Sequence, residues 1–174
     1  MIEQNPLQFF TAVCYDWLKL LDDDEAKQII VEALQHKTQK GQVKVCAFVI
    51  MPNHIHLIWR IQNGYQLEDV QRDFLKFTAR ELLKLIQRRK GKLGLEELFV
   101  GLKDRVFQVW KRNSMSIDLM HEWFFKQKLD YLHDNPCQSH WQLADLPENY
   151  KYSSAKFYED GVDEFGFLSH HLEI

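Results

Sequence analysis

Two apolar runs separated by only two residues constrain the fold of this chain more than any other feature. Residues 43–51 and 54–61 are rich in β-branched and other apolar side chains, and Pro52-Asn53 between them is a turn signal. Segments of this length and composition predict two β-strands joined as a hairpin. The chain is therefore expected to build a sheet with antiparallel strands.

Periodicity and capping signals predict the remaining elements. We predict a strand over 9–20, although residues 17–21 could equally begin a turn. We further predict a helix over 25–37 capped by Asp24, a helix over 68–89, a strand over 106–112, and a last helix capped by Ser116 or Asp118. Proline disfavours helical geometry in the residue before it, so the last helix should end near Asn135, before Pro136. This order indicates an α+β fold, an antiparallel sheet backed by helices.

Length and composition limit the class of protein. The 174 residues, 45% of them hydrophobic, suit a single domain over 1–174, with about 137–174 wrapped on it as a C-terminal extension. No apolar stretch approaches the roughly 18 residues that span a bilayer, and the first residues lack the features of a signal peptide. We therefore expect a cytoplasmic protein without membrane contact. The widely separated Cys14, Cys46 and Cys137 favour reduced thiols over disulfides or a zinc site.

The distribution of charge is more informative than its total. A formal net charge of −3 weakly opposes nucleic-acid binding, because phosphate binding depends on positive groups that displace counterions. Basic residues nevertheless recur every four positions along the helix predicted over 68–89, namely Arg72, Lys76, Arg80, Lys84 and Arg88. Such a basic band can bind phosphates, and an ordinary solvated helix face explains any one of these residues equally well.

His54 and His56 lie two residues apart on a predicted strand, so both side chains point to the same face of the sheet. One divalent metal ion could contact both imidazoles. On spacing alone, a polar strand face without a metal is the more common explanation. Two ligands are too few for a metal site, so a third ligand and any nucleophile must come from another element.

The last predicted helix offers both kinds of group. Tyr131 and Asn135 are four residues apart and share a helix face, with Gln127 one turn earlier and His133 rotated away from Tyr131. A packed tyrosine and an asparagine that only terminates the helix explain the same pattern. Spacing alone does not choose between these interpretations.

Four motifs occur in order along the chain: M-P-N-H-I-H-L, V-W-K-R, K-L-D-Y-L-H-D-N-P and P-E-N-Y-K-Y-S-S-A. Together they resemble the single-tyrosine transposases of the HUH superfamily, and within it the branch of REP-associated tyrosine transposases. The resemblance covers nearly the whole chain. It implies the HUH-nuclease fold, which is of the ferredoxin or RRM-like type.

The resemblance also implies a site and a reaction. His54 and His56 would bind Mg²⁺ or Mn²⁺, and Tyr131 would be the catalytic tyrosine. Asn135 would take the place of a third, amide-bearing ligand, which is a glutamine in the insertion-sequence relatives, and its shorter side chain is the main departure. The implied reaction cleaves and rejoins single-stranded DNA at hairpin-forming sequences through a 5′-phosphotyrosine. We expect Lys111 and Arg112 to join the basic band in DNA binding.

Two other functions fit the same residues. A sheet-and-helix domain could bind single-stranded nucleic acid through aromatic side chains and a basic groove without cutting it. Alternatively, the histidine pair could hold a metal that activates water in a phosphoesterase, with Tyr131 only structural.

A homodimer is also compatible with the resemblance. Because imidazole binds metal in its neutral form and has an ordinary pKa of about 6.5, activity is expected to fall in mild acid.

Overall fold

The computed structural model describes residues 4–174. Its strands and helices are, in chain order, β1 (Leu7–Val13), α1 (Asp24–Gln39), β2 (Val43–Ile50), β3 (His54–Ile61), α2 (Leu67–Lys90), β4 (Phe99–Leu102), β5 (Arg105–Phe107), β6 (Met115–Asp118), α3 (Glu122–Asp134) and α4 (Ala155–Asp160). Within this part of the chain, four strands form a sheet in the order β2-β3-β1-β6, and every neighbouring pair is antiparallel. The predicted α+β class and its antiparallel sheet are confirmed.

Apolar side chains form one core on each face of this sheet. On the first face, α1 and α2 cover Leu57 and Trp59 of β3. On the second face, α3 buries Leu129 and Leu132 against Ile58 of the same strand. Because successive residues of a strand point to opposite faces, the histidines of β3 lie on the α3 side of the sheet.

The predicted hairpin is confirmed, and its strands pair from Val43 with Ile61 to Ile50 with Ile55. The helix α1 begins one residue earlier than predicted, at Asp24. Asp23, not Asp24, is its N-cap, because Asp23 has extended backbone and its carboxylate accepts a hydrogen bond from the Ala26 N–H at 3.0 Å.

The first strand is shorter than the predicted 9–20. β1 ends at Val13, and the chain then turns through Asp16 and Trp17, whose φ angles are 50° and 58°. Both angles lie in the left-handed region, which a strand cannot accommodate. The apolar residues after the turn therefore leave the sheet.

The strand predicted over 106–112 is wrong in its bounds. Only residues up to Phe107 belong to β5, which pairs with β4 in a separate hairpin. The fourth strand of the main sheet is β6, where Ser116 and Asp118 had indicated a helix cap. Both side chains instead hydrogen-bond to the Gln8 amide on β1, and the N-cap of α3 is His121. The strand alternates apolar and polar residues, Met115-Ser116-Ile117-Asp118, but four residues are too few for this alternation to outweigh two side chains that commonly cap helices.

The segment after α3 follows the outer edge of β2. Ser153 and Leu168 form bridges with Val49 and Val45, and the Tyr150 hydroxyl donates to the Ile50 carbonyl at 2.7 Å.

That the whole chain forms one domain stays a prediction. All three cysteines are free thiols, as predicted. Among the described helices, none is long and apolar enough to cross a bilayer.

Candidate active site

A cleft of about 510 Å³ opens on the α3 side of the sheet, where β1, β3 and the C-terminal end of α3 meet. It contains all four residues that the resemblance assigned to catalysis and metal binding. The full lining is Thr11, Val13, Trp17, His54, His56, Met115, Tyr131, Asn135, Gln138, His140 and Trp141. Residues that are distant in sequence therefore meet at one place.

The two histidines are close together, and each ring is held by a neighbouring side chain. Their ring centroids are 4.8 Å apart. His54 Nδ1 lies 2.7 Å from the side-chain oxygen of Asn53, and His56 Nδ1 lies 2.8 Å from the Thr11 hydroxyl on the adjoining strand. Hydrogen bonds of this kind fix ring orientation and leave Nε2 as the atom available to a ligand.

Burial keeps both imidazoles neutral at physiological pH. It lowers the pKa of His54 to about 4, although a hydrogen bond to Asn135 acts in the opposite direction. It lowers the pKa of His56 to about 3, with a further contribution from the charges of His54 and Lys128. The expected loss of activity in mild acid used the pKa of an exposed imidazole, and the lowered pKa values move the expected loss to more acidic pH. The neutral form, which binds metals, persists to lower pH.

Tyr131 lies beside the pair with its side chain 52% exposed. Its ring centroid is 5.4 Å from that of His56, in an edge-on arrangement. The Lys128 ammonium, one helical turn earlier, is 5.6 Å from the same ring. Because the ring faces the cleft, its hydroxyl is accessible to a substrate there.

The other tyrosines are less suited to be nucleophiles. Among the described residues, Tyr131 is the only tyrosine that lines the cleft. Tyr150 donates its hydroxyl hydrogen to the Ile50 carbonyl, and burial raises the pKa of Tyr150 and of Tyr158. Tyr152 is almost fully buried. These residues anchor the C-terminal segment.

Asn135 is the C-cap of α3 and is almost fully buried, and its side chain lines the cleft with His54, close enough to raise the pKa of that imidazole. The amide is thus within the immediate surroundings of the histidine pair. His133 points elsewhere, as predicted, and its Nε2 lies 2.8 Å from the Ser154 hydroxyl. Over residues 4–174, no group of three or more His, Cys, Asp and Glu side chains could hold a metal ion. Any metal in the cleft would therefore depend on the two histidines and the Asn135 amide.

Basic residues border the cleft. Lys111 and Arg112 line an adjoining depression that shares Thr11, Val13 and Met115 with it. Lys128 lies over the rings of Phe9, Phe124 and Tyr131. Lys128 was not predicted from the sequence, although it precedes Tyr131 by three residues and therefore lies about one helical turn from it.

The basic band on α2 is not at this cleft. α2 covers the opposite face of the sheet, and most of the band is paired with acids. Arg72 contacts Asp69 and Asp73, Arg80 and Lys84 share Glu81, and Arg88 contacts Glu25. Only Lys76 of the band has no ion pair among residues 4–174. A role for this band in DNA binding stays a prediction.

The walls of the cleft also contain residues that sequence reasoning did not identify. Asn53 and Thr11 orient the histidines, and Trp17 and Trp141 line the rim. Asn53 could have been found, because it directly precedes His54. The tryptophans come from segments more than a hundred residues apart, and no periodic pattern connects them.

Comparison with solved structures identifies a shared fold. A REP-associated tyrosine transposase bound to a REP hairpin superposes with a TM-score of 0.65 at 16% identity, covering 96% of this chain and 87% of its own. This likeness confirms the predicted HUH fold. A proposed transposase from Deinococcus radiodurans R1 has a TM-score of 0.49 at 12% identity, covering 77% of this chain and 94% of its own.

Comparison of sequences identifies the family. A search of curated proteins finds no match to the chain. The family model described as "Transposase IS200 like" matches residues 11–100, which is more than half of the sequence. The matched span includes His54 and His56 and ends before Tyr131. The chain belongs to the family of IS200-like transposases.

Proposed function

We propose that this protein cleaves and rejoins single-stranded DNA, with Tyr131 as the nucleophile and a divalent metal ion held by His54, His56 and Asn135. One observation carries the proposal: an exposed tyrosine and two oriented, neutral imidazoles line the same cleft. Membership of a transposase family supports a role in DNA processing. The catalytic details are inferred from the chemistry of the side chains.

The donor set fits a catalytic metal ion. Two imidazole nitrogens and one amide oxygen leave further coordination positions for phosphate oxygens and water, which Mg²⁺ and Mn²⁺ both accept. Asn53 and Thr11 would keep the imidazoles oriented when the metal binds. When bound, such an ion polarises the scissile phosphate and stabilises negative charge on its oxygens.

The reaction we propose is a transesterification. The Tyr131 oxygen attacks the scissile phosphorus and forms a phosphotyrosine with the 5′ side of the break, while the bond from phosphorus to the 3′ oxygen breaks. The phenol releases its proton to solvent, and the leaving oxygen takes up a proton to become a 3′-hydroxyl. Attack by a 3′-hydroxyl on the phosphotyrosine reverses these events and rejoins the strand. No ATP is required, because the covalent linkage keeps the phosphodiester's free energy.

Lys128 has a position suited to assist this step. Its ammonium lies near the Tyr131 ring, and within residues 4–174 it forms no ion pair. A cation near a phenol stabilises negative charge that develops on the oxygen. We propose hairpin-forming DNA as the substrate class, because the structural relative with the same fold is bound to a REP hairpin.

A labelled-DNA experiment separates this function from the two alternatives. The protein is incubated with Mn²⁺ and a hairpin oligonucleotide carrying a different label at each end, and products are separated on a denaturing gel. A 5′-phosphotyrosine predicts that the 3′ label migrates with the protein while the 5′ label runs as a short free fragment. Tyr131→Phe should abolish both products.

Tyr65→Phe is the matched control, because Tyr65 is an exposed tyrosine outside the cleft. It should cleave like the unmodified protein. Cleavage without an adduct would favour the phosphoesterase, and binding without cleavage would favour the binding module. An adduct that persists in Tyr131→Phe would refute the assignment of the nucleophile.

A further inference from the structure

Trp17 presents an aromatic ring at the rim of the cleft from a strained turn. Its side chain is 56% exposed, and its backbone φ of 58° follows a φ of 50° at Asp16. Left-handed backbone is uncommon in bulky residues, and such strain clusters at functional sites. Because the exposed ring adds little to the core, the turn is better explained by contact with a ligand.

The turn is tied directly to the histidine pair through Asn53. The Asn53 side-chain nitrogen donates to the Trp17 carbonyl at 3.3 Å, and its side-chain oxygen is the partner of His54 Nδ1. The Asn53 carbonyl also accepts a hydrogen bond from the Cys14 N–H at 2.8 Å. The position of Trp17 is therefore fixed relative to His54.

Trp141 reaches the same cleft from the segment that follows α3. Its ring centroid is 6.0 Å from that of His54, and the side chain is half-buried. The Trp141 N–H donates to the Gln138 carbonyl at 2.9 Å, which fixes the turn after Asn135. Both tryptophans thus line the cleft that contains His54, where the proposed reaction would hold the scissile phosphate.

Each of the two rings also has a lysine beside it. The Lys111 ammonium is 4.5 Å from the Trp17 ring centroid, and the Lys19 ammonium is 6.0 Å from that of Trp141. In the described part of the chain neither lysine forms an ion pair. An aromatic surface beside an unpaired cation matches a nucleotide, which has a flat base and an anionic phosphate. An apolar protein partner would not require the cations.

We infer that Trp17 and Trp141 form a base-stacking subsite for unpaired bases of single-stranded DNA next to the scissile phosphate. The lysines would bind the phosphates of the same nucleotides. This inference rests on the proposed function for the identity of the ligand. It assigns the tryptophans a positioning role, because they would hold the strand without touching the reacting atoms.

Binding measurements test the subsite independently of cleavage. Trp17→Leu and Trp141→Leu are made in the Tyr131→Phe protein, and affinity is measured in EDTA by fluorescence anisotropy with a hairpin that has a single-stranded flank. Each substitution removes one stacking contact with a base and should reduce the affinity about tenfold. Repeating the titration with an abasic site at each flank position forms a double-mutant cycle. At the stacked position, the leucine substitution should cause no further loss.

Trp123→Leu is the matched control, because Trp123 is 67% exposed and lies outside the cleft. It should bind like its parent. Leucine variants that keep full affinity, or lose it equally with and without the base, would overturn the subsite. Failure of the nucleophile assignment would appear separately, as an adduct that survives Tyr131→Phe. A parent protein that does not bind the oligonucleotide would contradict both proposals.

Discussion

The two faces of the sheet carry positive charge in different ways. On one face, α2 has a long row of basic residues, and most of them are paired with acids on α1 or α2. On the other face, the cleft has fewer basic residues, and within residues 4–174 Lys111 and Lys128 have no acidic partner. An unpaired cation remains available to a phosphate, whereas a paired one must first lose its partner. The number of basic residues in a segment therefore does not locate a phosphate site.

The largest expected effect comes from the histidine pair on the cleft face of the sheet. We predict that His54→Ala or His56→Ala lowers the rate of metal-dependent cleavage at least about a hundredfold, because each removes a proposed ligand. Initial rates in Mn²⁺ would measure it. His36→Ala, an exposed histidine of α1 on the other face, is the control and should cleave normally. A double variant of His54 and His56 that cleaves at the normal rate would rule out the metal site.

The second effect compares the two basic surfaces directly. Replacing Lys111, Arg112 and Lys128 together with alanine should lower the salt dependence of single-stranded DNA binding by about 1.4 units, at roughly 0.7 for each of the two unpaired lysines. Arg112 should add less, because it pairs with Asp104 at 3.5 Å. The alanine triple of Lys76, Arg80 and Lys84 removes the same charge and should change the slope less, because Arg80 and Lys84 already pair with Glu81. Equal slopes for the two triples would show that the α2 band binds DNA as the sequence predicts.

A third effect follows from the histidines buried on the cleft side. Burial lowers the pKa of His133 from 6.5 to about 4, so between these values the unfolded chain binds more protons than the folded one. The free energy of unfolding of the metal-free protein should therefore fall as pH is lowered through this range. One histidine contributes at most about 1.4 kcal/mol per pH unit.

His133→Gln tests this contribution, because glutamine can reach the Ser154 hydroxyl and does not titrate. Urea unfolding at several pH values should give a shallower decline for the variant. The histidine pair should supply the remainder, since the pKa values of both residues are lowered. A decline as steep as that of the unmodified protein would contradict the assignment.

The smallest effect lies on the α1 and α2 face. Asp23 caps α1 and binds Arg89, which lowers the pKa of Asp23 to about 2. Asp23→Ala should cost about 1 kcal/mol of stability through loss of the cap and leave cleavage unchanged. Thermal unfolding measures the first effect, and the gel assay measures the second. Asp23→Asn should restore most of the stability, because asparagine is also a good cap. A large loss of cleavage in either variant would show that this face takes part in catalysis.

The regular elements were predictable from sequence where a strong periodic signal exists. The hairpin of β2 and β3 and the long helix α2 have continuous apolar patterns and appear with nearly the predicted bounds. β6 was missed, because its four residues are too few to show a clear alternation. The strand is stabilised by pairing with β1 and by Gln8, which no local pattern reveals.

The candidate site was likewise predictable only where local patterns place its residues. Strand alternation and helix spacing each place two residues on one face, so the pairing of His54 with His56 and of Tyr131 with Asn135 was visible. That the two pairs meet depends on α3 crossing the sheet above β3, which is a long-range contact. Thr11 and Trp17 belong to the cleft only because β1 lies beside β3 and then turns sharply.

The most direct test of the central claim is to locate the covalent bond to DNA. The adduct formed with hairpin DNA and Mn²⁺ is digested with trypsin and a nuclease and then examined by mass spectrometry. Cleavage after Lys128 and Lys151 leaves Tyr131 and Tyr150 on one peptide, so fragment ions must distinguish them. We predict that the nucleotide mass lies on Tyr131. A nucleotide on Tyr150 or any other residue, or cleaved DNA with no modified peptide, would contradict it.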